Sequence, residues 1–260
     1  MKKKIVIIGS GHAGGMLCSN LIKEDFDADI TIIGNEAFLP YARPELSKGL
    51  LEGTIDEKRI YLKSNDFYKK NGVNLINNTY VNSIKREEQT IVTNDDYEIS
   101  YDYLVFATGS SLIKFKSSCD EKKLFYLRTL SQSKDIKKLL NRKKLNLGII
   151  GSGYIGLEIA SIAAKKNHEV SIFDSEERVL ARSTCSDISD FIKDKHKKNG
   201  VNFFLKTKII DIEDHKTFKK IICDDGVEIS VDEVIVGIGV KPNIKCNSKN
   251  ALKCAIKYIK

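Results

Sequence analysis

The chain has no tryptophan, only 3 prolines in 260 residues, and no CxxC pair among its 6 cysteines. Scarce proline excludes collagen-like, mucin-like and proline-rich linker architectures. The cysteines, Cys18, Cys119, Cys185, Cys223, Cys246 and Cys254, do not have the spacing of a secreted disulfide framework, and in a chain of this length they predict a cytoplasmic setting. No apolar run approaches the roughly 18 residues that span a bilayer, so no integral membrane segment is predicted. Lysines 2–4 followed by isoleucine-rich residues 5–8 imitate the start of an export signal, but Gly9 ends that run too early. What remains, 42% apolar and 30% charged, has room for one large domain or two of ordinary size.

The net charge of +8 invites a nucleic-acid reading, yet residues 241–260 hold six lysines and no acid. Without those six the balance is +2, and without lysines 2–4 as well it is −1. The basicity is local, so no broad face for a phosphate backbone is predicted. In the tail, Lys245, Lys249, Lys253 and Lys257 recur every fourth residue, offset from Leu252, Ala255, Ile256 and Ile259. That pattern fits a basic amphipathic helix suited to an acidic protein or an anionic membrane surface, or a frayed terminus.

The chain states one plan twice. An apolar strand runs into Gly9-Ser-Gly-His-Ala-Gly14, and another into Gly151-Ser-Gly-Tyr-Ile-Gly156. Each is followed by a helical stretch (residues 16–22 and 158–164), a second strand (30–33 and 170–173), a set of short strands with turn signals, and a last strand ending in small residues. Those endings are Ala107-Thr-Gly109 and Gly237-Ile-Gly239. The predicted fold is therefore α/β: two Rossmann-like doubly wound units, each with a parallel sheet and an inserted antiparallel meander. The expected divisions are 1–115, 116–243 and a tail, 244–260. A helix over 131–140 should precede the second copy.

A strand ending in GxGxxG turns tightly and lets a pyrophosphate approach backbone N–H groups at a helix N-terminus. One such turn is weak evidence; two in matching context predict two dinucleotides. No metal ligand set is predicted. An acid about 20 residues on should accept the ribose hydroxyls, which selects Glu36, with Asn35 beside it, and Asp174. Ser175-Glu176-Glu177 would repel a 2′-phosphate and favours NADH over NADPH in the second copy, although Arg178 and Arg182 count against this. Asp174 also reads as a helix cap or a solvated loop acid.

The segments Leu39-Pro-Tyr-Ala-Arg-Pro-Glu-Leu-Ser-Lys-Gly-Leu-Leu51, Tyr126-Leu-Arg-Thr-Leu130 and Val236-Gly-Ile-Gly-Val-Lys-Pro-Asn243 resemble the FAD-dependent ferredoxin and rubredoxin reductases of the pyridine nucleotide-disulfide oxidoreductases. The resemblance implies FAD at Gly9, Gly11, His12, Ala13 and Gly14, with Arg43, Lys48, Val81 and Arg128 along it and Ala107, Thr108 and Gly109 close by. It implies NADH at Gly151, Gly153, Tyr154, Ile155 and Gly156, with Glu158 toward the nicotinamide and Gly237, Ile238 and Gly239 at its edge. Lys48 and Glu158 are the catalytic candidates. Lys48 would be the cation beside the flavin ring, against the alternative of a surface lysine. Glu158 otherwise reads as a first-turn acid complementing the helix dipole. The implied activity is that of an oxidoreductase: a hydride passes from NADH to flavin and electrons pass to a ferredoxin- or rubredoxin-like carrier. A homodimer is compatible with this. Many relatives use a flavin-side cysteine, but residues 39–51 contain none, and Cys18 on the first helix reads as packing.

In the family the chain returns after the NADH half to complete the FAD domain with an Asp-containing motif. Here Lys260 follows Asn243 by 17 residues with no Gly-Asp dipeptide. The first unit is therefore expected to be incomplete. This leaves open a non-catalytic NADH-binding module, or half of a split flavoenzyme.

Overall fold

The computed structural model describes residues 2–244. The basic tail predicted for 244–260 lies outside them except for its first residue. The chain forms two units, one from residues 2–43, 57–111 and 242–244, the other from 44–56 and 112–241.

In the first unit four parallel strands lie in the order Asn74–Ile76, Ala28–Ile33, Lys3–Ile8, Tyr103–Phe106. Strand Lys3–Ile8 is central, and Ile5, Val6 and Ile7 are each at most 4% exposed. A strand covered on both faces reads as a continuous apolar run, which is why this one shows no alternation. One face packs Ile5, Ile7, Ile30 and Ile32 against Cys18 and Tyr68. The other packs Val6 and Ile33 against Ile91. Ile91 belongs to the antiparallel meander of Val81–Lys85, Thr90–Thr93 and Glu98–Ser100.

The second unit repeats this with five parallel strands: Val201–Phe204, Glu169–Phe173, Asn146–Ile150, Glu233–Val236 and Phe125–Tyr126. Its meander is Ile209–Asp214, Lys219–Cys223 and Glu228–Val231. Phe173, fully buried, stacks on Phe204 with centroids 4.8 Å apart. The doubly wound architecture with inserted meanders is thus the one observed, and the first sheet has one strand fewer among the described residues. The helix expected at 131–140 runs Leu130–Leu139. Thr129 and Gln132 form a capping box that starts it one residue earlier, and Leu140 is its C-cap.

Residues 44–56 pack in the second unit. Leu46, Leu50 and Leu51 are buried, the Ser133 hydroxyl donates to the Leu46 carbonyl at 2.7 Å, and Lys165 pairs with Glu52 at 2.9 Å.

Burial pushes the Cys18 thiol up to about 11 from an ordinary 9.0. Burial, reinforced by Cys18, raises the Tyr68 hydroxyl to about 12 from 10.0, and that hydroxyl has no hydrogen-bond partner among the described residues. Both groups are neutral in the core. The unfolded chain sheds these protons first, so their contribution to stability is full below about pH 9 and is lost as pH rises through the folded values. Urea unfolding should therefore show stability falling between about pH 9 and pH 12, with a shallower fall in Cys18→Ala. In the native chain at pH 8 the exposed Cys185 should react with a thiol reagent while Cys18 does not.

Candidate dinucleotide sites

Each glycine turn is built from two close backbone approaches and one open position. In the first unit Gly9 has φ +120°, and a Cβ there would lie 2.1 Å from the Ala107 carbonyl oxygen. A Cβ on Gly14 would lie 2.0 Å from the Gly9 carbonyl oxygen. In the second unit Gly151 has φ +101° and faces the Gly237 carbonyl at 2.5 Å, while Gly156 faces the Gly151 carbonyl at 2.1 Å. These four positions need glycine for the fold itself.

The middle glycines differ. A Cβ on Gly153 would meet nothing within 4 Å, and one on Gly11 would meet only the Arg43 guanidinium, at 3.7 Å. Both have φ near −76°, which any residue adopts. Protein packing does not account for their lack of a side chain; room for a ligand does. Both are helix N-caps without a side-chain hydrogen bond, as are Lys48 and Cys185, whereas Ser64 and Thr129 cap their helices. Two helix N-termini are thus left with N–H groups and a positive dipole end facing open space, the arrangement that holds a pyrophosphate.

Around the first cradle, His12 and Ala13 form the exposed first turn of helix His12–Lys23. Glu36 accepts from Arg43 at 2.6 Å on one oxygen and from the Tyr41 hydroxyl at 2.6 Å on the other. Arg43 also covers the Tyr41 ring, 5.1 Å from its centroid. Asn35 donates to the Tyr80 hydroxyl at 3.1 Å. Val81 opens the meander, half-buried. The Ala107 N–H donates to the Ile8 carbonyl at 2.8 Å. Asn243 clamps the next turn: its side chain donates to the Thr108 carbonyl at 2.9 Å, and its N–H to the Gly109 carbonyl at 3.0 Å.

The second cradle opens into a cleft of about 420 Å³ lined by residues 151–154, Asp174, Glu176 and the Gly237-Ile238-Gly239 turn. Asp174 accepts from the Ser152 N–H at 2.7 Å and hydroxyl at 2.5 Å, and from the Glu176 N–H at 3.0 Å. Arg178 donates to the carbonyls of Thr184 at 2.7 Å and Ala181 at 2.9 Å. Arg182 pairs with Glu176 at 3.4 Å. Tyr154 and Ile155 are exposed at the helix start, beside Gly153. One turn further on, Glu158 receives Lys48 Nζ at 2.6 Å on Oε1 and the Ser47 hydroxyl at 2.5 Å on Oε2. The two catalytic candidates, 110 residues apart, therefore meet within the second unit. Arg128 lies in the same unit, its N–H bonded to the Gln132 side chain at 2.8 Å. Ser47, Ser152 and Tyr41 went unnoticed in the sequence. Ser152 could have been found as the small polar residue inside the glycine turn; Ser47 and Tyr41 have no spacing signal.

Two Rossmann-like units, each with an open glycine turn, give the chain the α/β architecture of the dinucleotide-binding fold. Residues 3–260 match the pyridine nucleotide-disulphide oxidoreductases, and the chain belongs to that family. It is 33% identical over 256 residues to putidaredoxin reductase of Pseudomonas putida, covering 96% of this chain and 60% of that protein. It is 30% identical over 253 residues to the rubredoxin-NAD(+) reductase of Pseudomonas putida, covering 96% and 65%. The crystal structure of the covalent putidaredoxin reductase–putidaredoxin complex matches with a TM-score of 0.88 at 33% identity, over 93% of this chain and 59% of that one. The chain thus spans about three fifths of the length of these relatives. Among the described residues no helix is long and apolar enough to cross a membrane.

Alanine substitutions should separate the two kinds of glycine. Gly156→Ala, whose Cβ meets backbone, should lose at least about 2 kcal/mol in urea unfolding, and Gly153→Ala should stay within about 0.5 kcal/mol of the parent.

Proposed function

We propose that this chain is the nucleotide-binding part of an FAD-dependent oxidoreductase of the ferredoxin or rubredoxin reductase type. FAD is held at the first cradle by Gly9, residues 11–14 and Arg43, with Glu36 at the ribose and Val81, Ala107, Thr108 and Gly109 around it. NADH is held at the second by residues 151–156, Asp174 and residues 237–239. The observation that carries this reading is the open, uncapped middle glycine of each turn, a space that a Cβ would fill. When bound, FAD would supply the capacity to take a hydride equivalent from NADH and to pass electrons singly to a small carrier protein.

The chain's own residues bind and orient. Backbone N–H groups at the starts of helices His12–Lys23 and Tyr154–Lys165 take the two pyrophosphates. Within the second unit Glu158 pairs with Lys48 at 2.6 Å and holds its ammonium group in place. Preference for NADH follows from charge. Asp174 offers a carboxylate oriented by Ser152, and the nearby Arg178 is held by the carbonyls of Thr184 and Ala181. A reducing cytoplasmic setting suits Cys18, Cys119, Cys185 and Cys223, all free thiols.

The test is reconstitution. The purified chain with FAD should be yellow, and NADH should bleach its flavin absorbance under anaerobic conditions. NADPH should act at least about tenfold more weakly, because it brings a phosphate to an acidic loop. Gly153→Val should fold as the parent does yet lose NADH binding by calorimetry. A chain that binds NADH but ignores FAD would be a nucleotide-binding module instead.

A further inference from the structure

We infer that Ser47 is the positioning residue for the Lys48–Glu158 pair: it sets the carboxylate, and the carboxylate sets the lysine. The inference rests on the function proposed above. Lys48 is half exposed and Glu158 about one quarter exposed. A pair of that kind holds its geometry poorly, because each long side chain gives up rotamer freedom for little energy in high dielectric. Ser47 is the opposite. It is 1% exposed, has a single side-chain torsion, and its hydroxyl donates to Glu158 Oε2 at 2.5 Å, a charge-assisted bond. The other neighbour of that hydroxyl, the Pro44 carbonyl at 3.5 Å, is too distant to compete for the proton.

The support beneath Ser47 is rigid. Buried Leu46, Leu50 and Leu51 surround it in sequence, and the Ser133 hydroxyl fixes the Leu46 carbonyl at 2.7 Å. Glu158 thus has one partner on a packed platform and one on a mobile four-carbon stem. With both, its two oxygens are taken from different directions and the side chain has one orientation. Without Ser47 the Lys48 contact alone remains among the described residues, and lysine and glutamate can swing together into solvent. The role of Ser47 is indirect, because its one hydroxyl proton is already committed to Glu158.

Trace acetylation of the full chain without cofactors, read by mass spectrometry, tests this directly. Ser47→Ala should raise the Lys48 labelling rate about threefold relative to Lys138, as should Glu158→Gln, and the double variant should add nothing. With FAD and NADH present, Ser47→Ala should lower kcat roughly tenfold while KM for NADH stays within about twofold. Unchanged Lys48 labelling in Ser47→Ala, or effects that multiply in the double variant, would overturn the inference. A chain that takes up no FAD would remove the proposed function instead, and the labelling result would still decide the role of Ser47.

Discussion

Both halves depend on one backbone contact: the turn after the first strand pressed against the carbonyl that ends the last strand. In the first unit it is Gly9 on Ala107, in the second Gly151 on Gly237. The neighbouring hydrogen bonds, from Ala107 N–H to Ile8 and from Gly237 N–H to Ile150, hold the two strand ends in register. Left-handed φ at Gly9 and Gly151 then aims the chain into the helix, and Gly14 and Gly156 let that helix lie on the turn. With any side chain at these positions the helix start would lift off, and the N–H groups of its first turn would no longer converge on one point. The same glycines thus set both the packing of each unit and the position of its helix start.

Much of this was legible because it is local. A strand, a glycine turn and a helix follow one another within about 20 residues, and apolar runs such as Ile5 to Ile8 identify strands covered on both faces. The meanders were legible from turn residues such as Gly226, which has φ +82°. Less visible was everything that depends on long-range placement. Residues 44–56 follow the first unit's elements in sequence yet pack in the second, through Leu46 and Ser133. No periodicity reports a hydrogen bond between residues 87 apart. Lys48 and Glu158 each stood out by resemblance, but their contact, and the part of Ser47 in it, lies 110 and 111 residues across the sequence.

The two copies also diverge where the sequence suggested they should match. At the end of the second strand the second unit has Asp174, bonded to the hydroxyl and N–H of Ser152 inside the glycine turn. The first unit has Gly34 there, and a Cβ on it would fall 1.8 Å from the Ser10 hydroxyl oxygen. Ser10 and Ser152 hold the same place in the two motifs. In one copy the serine meets an acid; in the other it fills the space that an acid would need. The first unit's acid is consequently displaced to Glu36, where Arg43 and Tyr41 orient it.

That displacement has an electrostatic consequence. Asp174 is oriented by the neutral donors of Ser152 and Glu176, while the Glu176 side chain itself pairs with Arg182. Glu36 is oriented by a guanidinium whose edge also comes within 3.7 Å of the open position at Gly11. The first cradle therefore pairs its acid with a cation at the opening where a diphosphate would sit, and its local charge is balanced before any ligand arrives. One duplicated plan thus yields two turns with differently held acids, through the exchange of glycine for aspartate beside a shared serine.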